Sequence, residues 1–305
     1  MQTNSFYAIG TPGIAWGDHE RALWLARQTK LRSYADDVVS VIDSLATRFA
    51  VVPYGELRYG NDHYQQLALK SLQWNHQLPT VLVTGGVHGY ETSGVHGALA
   101  FLQQRAEQYA GRVNLLVVPC VSPWAYERIN RWNAETVDPN RSFLQPSPAQ
   151  EAAALMQLVA AMTQDTFVLH IDLHETTDSD ESEFRPALSA RDGKPFETET
   201  IPDGFYLVGE TTNPQLEFQR TIIDAVAAVT HIAPADANGR IIGVSTAAPG
   251  VVLLSCKSRG LCAGMTAARY TTTTEVYPDS PRTTPAICNA AQVVAVSAAI
   301  DFVLR

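Results

Sequence analysis

The stretch Val81–Glu91 limits what this chain can fold into more than any other part of the sequence. Val81–Val83 is a short apolar run of the kind found in buried strands. Gly85-Gly86 follows it and lets the backbone turn sharply. His88 and Glu91 come next, ahead of a segment whose apolar residues recur with helical spacing. This order predicts an α/β sheet, in which ligands bind beside the carboxyl ends of the strands.

The rest of the chain repeats the alternation of strands and helices. Further strands are predicted by apolar or β-branched runs at Val113–Pro119, Phe167–His174, Phe205–Val208, Val251–Leu254 and Arg269–Val276. Helices are predicted after Glu91, after Ser147 and from Asn213-Pro214 through Ala228, and a last helix opens at Thr284-Pro285. Long loops are predicted at 120–146 and 175–204. The expected fold class is therefore α/β, with a mixed, mostly parallel central sheet and helices on both faces.

The N-terminal part of the chain is expected to be helical. Apolar residues predict one long amphipathic helix from about His19 to Phe49, with Asp18 as its cap. The 305 residues contain no internal repeat and no low-complexity linker. We therefore expect a single domain over residues 1–305, with residues 1–50 as an N-terminal helical addition.

Composition restricts the partners and the compartment. The net charge of −9 argues against nucleic acid and against an anionic membrane surface, because both require a basic face. The N-terminus has no signal-peptide pattern, and no apolar run approaches the ~20 residues of a membrane helix, so a cytoplasmic location is expected. Four cysteines do not predict a disulfide framework, and buried free thiols are expected instead. No feature of the sequence specifies an oligomeric state.

A second candidate metal ligand lies at the end of another predicted strand. Side chains alternate along His170-Ile-Asp-Leu-His174, and only His174 sits where the strand gives way to a polar segment. With His88 and Glu91 it completes two histidines and one carboxylate, the usual ligand set of catalytic zinc. His170 lies deeper in the strand, and we interpret it as a hydrogen-bonded core histidine.

Two further clusters could act on a substrate. Asn140-Arg141 could hold a carboxylate by paired hydrogen bonds, and Arg131 could neutralise an oxyanion, although both arginines could equally lie on a solvated loop. Glu275 lies near the end of the threonine-rich strand Tyr270–Tyr277. A carboxylate there is costly unless it is paired or functional, and beside a metal site it could be a general base.

Taken in order, these residues resemble the zinc metallocarboxypeptidase family of the carboxypeptidase A type, and the resemblance covers roughly residues 50–305. It implies a hydrolase that removes C-terminal amino acids from peptides. The roles that it implies are one zinc ion bound by His88, Glu91 and His174, Arg131 polarising the scissile carbonyl, Asn140 and Arg141 binding the terminal carboxylate, Glu275 acting as catalytic base, and Asp138 orienting the first zinc histidine.

The sequence departs from the family pattern in one respect. The family's substrate-capping tyrosine has no counterpart in Val251–Gly264, and Tyr206 or Tyr270 is left as a candidate replacement. The region that would set specificity holds Lys257 and Arg259, which would favour acidic C-terminal side chains.

Two other functions fit the sequence less well. One is a zinc amidohydrolase of N-acyl amino acids, as in aspartoacylase and succinylglutamate desuccinylase, a related group that this chain resembles at His88-x-x-Glu91 and Asp172-Leu-His174. In that group the catalytic glutamate follows soon after the third ligand, whereas Glu275 lies 101 residues beyond His174 (275 − 174). The other is a metal-binding protein without catalysis, which would not require Arg131, Asn140, Arg141 and Glu275 together.

Overall fold

A computed structural model describes residues 7–305 of the chain. Ten strands form one mixed sheet in the order β1-β2-β4-β3-β5-β10-β6-β9-β8-β7. The strands are β1 Phe49–Tyr59, β2 Asp62–Ser71, β3 Thr80–Gly85, β4 Asn114–Val118, β5 Phe167–Glu175, β6 Tyr206–Glu210, β7 Arg240–Ile241, β8 Val244–Ala248, β9 Val251–Leu254 and β10 Tyr270–Val276.

The centre of the sheet is parallel and its flanks are mostly antiparallel. Strands β4, β3, β5 and β10 run parallel to one another, and β6 pairs with β9 in the same way. Strands β1 and β2 form an antiparallel hairpin whose turn uses Gly60 at a φ of 60°. The α/β class with a mixed sheet is thus confirmed, and its parallel part is the centre, where the connections contain helices.

Helices cover both faces of the sheet. They are α1 Asp18–Ala26, α2 Ser40–Ser44, α3 Thr92–Gln104, α4 Pro123–Arg128, α5 Gln150–Ala161, α6 Arg185–Asp192, α7 Leu216–Val226 and α8 Pro285–Val303. Alternate residues of the central strands point to opposite faces, so Val81 and Val83 join the core under α3, α7 and α8, while Leu82 joins the core under α5. All four cysteines are free and buried, as the sequence predicts.

Helix α8 is long and apolar enough, by length and composition, to cross a membrane. In the structure it packs against α3, α7 and β5, and its residues Ala291, Val296 and Ile300 are fully buried. Thr284 caps it by accepting a hydrogen bond from the Ile287 amide, as the sequence predicts. Its apolar composition is that of a core helix.

The prediction of one long N-terminal helix is wrong. Helix α1 ends at Ala26, and a π-helical turn at Ala35–Val39 leads into α2, so the segment between them is not helical. The Glu127 carbonyl oxygen accepts hydrogen bonds from the Leu31 and Arg32 amides, at 2.7 and 3.1 Å. A partner remote in sequence therefore replaces the helical hydrogen bonds of this segment.

Three smaller expectations also differ from the structure. The cap of α1 is Gly17, whose amide donates to Glu20 at 2.9 Å, so Asp18 falls inside the helix. Strands β7 and β8 were not predicted, because the edge strand β7 has only two residues and its neighbour β8 has no buried residue. The two long loops predicted at 120–146 and 175–204 contain the short helices α4 and α6.

Helix α3 lies unusually close to β5 at Gly94. A Cβ atom at this position would come within 2.4 Å of the Leu173 carbonyl oxygen, a backbone atom that cannot move independently. Because β5 carries His174 one residue later, this contact fixes how near the two candidate ligand segments can approach.

We predict that Gly94→Ala destabilises the protein by about 1–3 kcal/mol, as overpacked core sites do. In a helix without such a contact the same change would stabilise by about 1 kcal/mol, so a loss can be attributed to the contact with β5. The measurement is urea unfolding, with Gln103→Ala on the exposed side of α3 as the near-neutral control. An unchanged or higher stability for Gly94→Ala would contradict the close approach.

Candidate active site

The two candidate ligand segments meet because their strands are neighbours. Strands β3 and β5 pair in parallel, with Gly85 opposite Leu173, so both chains leave the sheet at the same edge. His88 and Glu91 follow β3, and His174 is the penultimate residue of β5. All three side chains are buried, at 2% exposure or less.

The three side chains converge on one point. The His88 Nδ1 atom lies 2.7 Å from Glu91 Oε1, and the His174 Nδ1 atom lies 2.6 Å from Glu91 Oε2. One ligand atom from each residue lies within 4.8 Å of the other two. Glu91 Oε2 has no properly oriented hydrogen-bond donor among residues 7–305, despite its short contact with His174. A shared cation satisfies that oxygen and both nitrogens, and two histidines with one carboxylate are a zinc donor set.

Two further carboxylates hold the imidazoles in the orientation that a metal requires. Asp138 Oδ1 lies 2.9 Å from His88 Nε2, and Asp172 Oδ2 lies 2.7 Å from His174 Nε2. Each carboxylate places the ring proton on Nε2, which leaves the Nδ1 lone pair free for an ion. The predicted contact of Asp138 is therefore present. Asp172 was not predicted as a site residue, although its spacing of two from His174 on one strand was visible in the sequence.

The electrostatics of the cluster require positive charge beside Glu91. Burial alone would raise the pKa of Glu91, but the imidazoles of His174 and His88 lower it to about 2. Burial disfavours protonated His174, yet the carboxylates of Asp172 and Glu91 outweigh this effect and raise its pKa well above the usual value. The buried carboxylates thus demand a counterion, a requirement that a divalent cation meets.

Glu175 ties the two ligand segments together. Glu91 occupies the N-cap position of α3, but its carboxylate faces the imidazoles and cannot cap the helix. The Glu175 carboxylate caps the helix instead, because it accepts hydrogen bonds from the amides of Thr92 at 3.0 Å and Ser93 at 2.8 Å. Burial raises the pKa of Glu175 to about 7. A residue of β5 therefore satisfies the helix that begins at a ligand following β3.

Arg131 is held in the cleft by acidic and phenolic oxygens. Its Nε donates to Asp138 Oδ2 and its Nη1 donates to Asp180 Oδ1 and to the Tyr90 hydroxyl, each at 3.1 Å. The Tyr90 hydroxyl in turn donates to Asp180 at 2.8 Å. Sequence reasoning missed Tyr90 and Asp180, because neither forms a local motif with Arg131.

Asn140 and Arg141 lie in the same cleft, on a short 3-10 turn whose first amide donor is bound by Asp138. The Asn140 side chain accepts from the Cys262 amide at 2.8 Å and touches His174 Nε2 at 3.4 Å. The Arg141 guanidinium donates to the Asn140 carbonyl at 2.6 Å and is otherwise exposed. Its remaining donors are free to bind an anion.

Glu275 lines the same cleft as the candidate metal ligands and comes from the strand next to that of His174. It lies directly opposite His174 in the parallel pairing of β10 with β5, so both side chains lie on one face of the sheet. Its carboxylate accepts from the Thr176 hydroxyl at 3.0 Å. Burial raises the pKa of Glu275 to about 8, while the charge of His174 acts in the opposite direction. The environment thus favours a carboxylate that accepts and returns protons near neutral pH.

The two tyrosines proposed as replacements for the capping residue differ in position. The Tyr206 hydroxyl pairs with Thr176 Oγ1 at 2.7 Å, and its side chain lines the cleft beside Glu275. Tyr270 instead packs against Phe218 and Phe302 in the core. His170 is buried against Thr84, as expected of a core histidine, and burial lowers its pKa to about 4.

A cleft of about 550 Å³ contains all eight residues selected from the sequence. They are His88, Glu91, Arg131, Asp138, Asn140, Arg141, His174 and Glu275. Lys257 and Arg259 are exposed and do not line this cleft, and their expected role in specificity stays a prediction. Leu254 and Leu261, which flank the segment that contains Lys257 and Arg259, line the cleft instead.

Comparisons with known proteins agree with this architecture. The catalytic-domain model of succinylglutamate desuccinylase and aspartoacylase matches residues 77–195. A structure of a candidate metallopeptidase from Shewanella amazonensis is similar, with 18% identity, a TM-score of 0.67 and coverage of 90% of this chain and 98% of that chain. No curated protein matches the sequence.

Two further solved structures are similar to this chain in fold. A metallo-carboxypeptidase from Pseudomonas aeruginosa, in complex with (2-guanidinoethylmercapto)succinic acid, has 15% identity, a TM-score of 0.58 and coverage of 88% of this chain and 69% of that chain. Bovine thrombin-activatable fibrinolysis inhibitor, in complex with a tick carboxypeptidase inhibitor, has 12% identity, a TM-score of 0.57 and coverage of 92% and 98%.

The chain therefore has the carboxypeptidase-like fold, and the resemblance inferred from its sequence is confirmed at that level. The family match covers the segment that holds His88, Glu91 and His174. Fold, match and ligand cluster together support a hydrolase of the superfamily that contains the carboxypeptidases and the desuccinylase/aspartoacylase group.

We predict that Asp172→Asn lowers the zinc affinity about 10–100-fold, because His174 loses the anion that orients it. Zinc affinity is measured by competition with a chromophoric chelator. Asp203→Asn is the matched control, since Asp203 makes the same kind of contact with His231, at 2.7 Å, outside the cleft. Equal zinc affinities for the two variants would argue against His174 as a ligand.

Proposed function

We propose that this protein is a zinc metallocarboxypeptidase that removes C-terminal amino acids from peptides. The main support for this proposal is that candidate metal ligands, a candidate base and candidate anion-binding side chains line one cleft. The ligand cluster and Glu275 lie beside Arg131, Asn140 and Arg141, which can bind an oxyanion and a terminal carboxylate. A hydrolase that cuts any peptide bond along a chain would not need a carboxylate-binding pair next to its catalytic centre.

His88, Glu91 and His174 would hold one zinc ion, which would supply the means of activating water as a nucleophile near pH 7. Glu275 is placed to accept the proton of the attacking water and to return it to the leaving amine. The Thr176 hydroxyl, which donates to Glu275 at 3.0 Å, keeps the carboxylate turned toward the cleft. A general base of this kind typically contributes about 10²–10⁴-fold in rate.

Arg131, Asn140 and Arg141 would bind the substrate. Arg131 is already aligned by Asp138 and Asp180, so it can donate to a developing oxyanion without reorganising. Arg141 has free donors and Asn140 is fixed by the Cys262 amide, so the pair can bind a carboxylate in a defined position. Fixing that carboxylate selects the last amide of the chain as the bond to be cut.

The alternative function is hydrolysis of N-acyl amino acids. One observation supports it. The family model that matches residues 77–195 is that of succinylglutamate desuccinylase and aspartoacylase. An N-acyl amino acid offers the same amide and terminal carboxylate as the end of a peptide, so the residues described above could serve either substrate. We favour the peptidase because Glu275 comes from β10, far from His174 in sequence, as in the carboxypeptidases that the chain resembles.

We predict that Glu275→Gln retains zinc and loses at least 10²-fold in kcat, because the amide cannot accept the proton. Zinc content is measured by elemental analysis and kcat with a peptide substrate. Glu217→Gln, on the exposed surface of α7, is the control and should keep wild-type kcat. A fully active Glu275→Gln protein that still contains zinc would rule out Glu275 as the base.

We also predict that wild-type protein releases the last residue from peptides with kcat/KM at least tenfold above that for acetyl- and succinyl-amino acids. The measurement is a matched panel in which each amino acid is presented both at the end of a peptide and in acylated form. Amidating the peptide carboxylate should abolish release, since Asn140 and Arg141 would lose their ligand. Faster hydrolysis of the acyl-amino acids would establish the alternative.

A further inference from the structure

Three arginines that the proposed mechanism does not use also line the cleft: Arg21 from α1, and Arg185 and Arg191 from α6. Arg21 and Arg191 share one anchor. Both are anchored on Thr136, a buried residue with a φ of 59°. Arg21 Nη1 donates to the Thr136 hydroxyl and, at 3.2 Å, to the Glu135 carbonyl. Arg191 Nη1 donates to the Thr136 carbonyl at 2.8 Å. One residue therefore holds two guanidinium groups near each other.

The charge of these two arginines is incompletely balanced. Arg131 and Arg185, which also line the cleft, each pair with two carboxylates. Arg191 pairs with one, Asp192, at 2.9 Å. Arg21 makes no ion pair with any of residues 7–305, although it is only partly exposed. A protein with a net charge of −9 thus presents in this cleft a guanidinium that makes no ion pair within residues 7–305.

The contacts of Arg191 hold it in place for binding. Its guanidinium lies over the Trp132 ring, 4.7 Å from the ring centre, and its Nε is bound to Asp192. The Trp16 amide donates to the Arg191 carbonyl at 2.8 Å, which joins the segment before α1 to α6. The Nη2 group of each arginine makes no hydrogen bond within the described part of the chain, so each has donors for a ligand.

Thr136 and Arg141 lie on either side of Asp138 in the loop. Asp138, which contacts His88 at 2.9 Å, lies two residues after Thr136 and three before Arg141. Thr136 is therefore two residues, at most about 7 Å along the chain, from a residue whose carboxylate contacts a candidate metal ligand. Because Asn140 and Arg141 are assigned to the terminal carboxylate of the leaving amino acid, a second carboxylate in the acyl part of the substrate would need other cations in this cleft, and Arg21 and Arg191 line it.

We propose that Arg21 and Arg191 form a subsite that binds a carboxylate on the acyl side of the scissile amide. In a peptide, this is an acidic side chain in the residue before the cut. The inference rests on the proposed function for the orientation of the substrate. It makes α1, which lies outside the region of family resemblance, a part of the substrate site and Arg21 a specificity-determining residue.

The test compares Arg21→Gln with Arg27→Gln, an exposed arginine just after the same helix that does not line the cleft. Both changes are made in zinc-loaded Glu275→Gln protein, so that ligands bind without turnover. Calorimetry measures the Kd of two ligand pairs, each differing by one carboxylate: peptides with Glu or Gln as the penultimate residue, and amino acids carrying a succinyl or a propionyl group. Circular dichroism melting checks that each variant is folded.

The expected result is a preference of about tenfold or more for the carboxylate-bearing member of at least one pair. Arg21→Gln should reduce that preference to less than twofold by weakening only the charged ligand, while Arg27→Gln should retain it. A protein that shows no preference in either pair, or a preference that Arg21→Gln leaves unchanged, would overturn the subsite. If the preference behaves as expected but wild-type protein hydrolyses no peptide and no acyl-amino acid, the proposed function fails and the subsite stands.

Discussion

The contact on which the site depends is that of the Glu91 carboxylate with two imidazoles, one on each oxygen. A buried carboxylate must be balanced by positive charge, and here the balancing groups come from β5 as well as from the turn after β3. Because Glu91 is committed to the cluster, α3 must find its cap elsewhere, and Glu175 supplies it. The same two strands are thereby joined through the ligands and through the helix that follows them.

Acidic and basic side chains alternate in a row across the cleft, and the row includes the candidate metal ligands. Each acidic group in this row contacts one or two basic groups, at distances between 2.6 and 3.1 Å. The row is Asp180, Arg131, Asp138, His88, Glu91, His174 and Asp172. In a medium of low dielectric, an arrangement of this kind lets each member orient its neighbours. It also couples the candidate oxyanion-binding arginine to the metal ligands, since Asp138 touches both.

The sequence predicted what is local and missed what is long-range. The central strands, the turn after β3 and the three ligands follow from apolar periodicity and from polar residues at strand ends. Asp180 could not be assigned to Arg131, because 49 residues separate them and only the fold brings them together. The N-terminal helix was overextended for the same reason: its pattern is helical, but the Glu127 carbonyl offers Leu31 and Arg32 a different partner. The roles of the site residues remain predictions.

The packing of α1 has a practical consequence for where the protein can be shortened. Trp24 on α1 lies against the Trp132 ring, with centres 5.6 Å apart, on the loop that also carries Arg131. Arg32, just beyond α1, donates to the Gly89 carbonyl at 2.8 Å, next to His88. A truncated version starting at β1 would keep the whole sheet and every candidate metal ligand. It would nevertheless lose the side chains that pack against Trp132 and bind the Gly89 carbonyl, so the segments that carry Arg131 and His88 would lose part of their support.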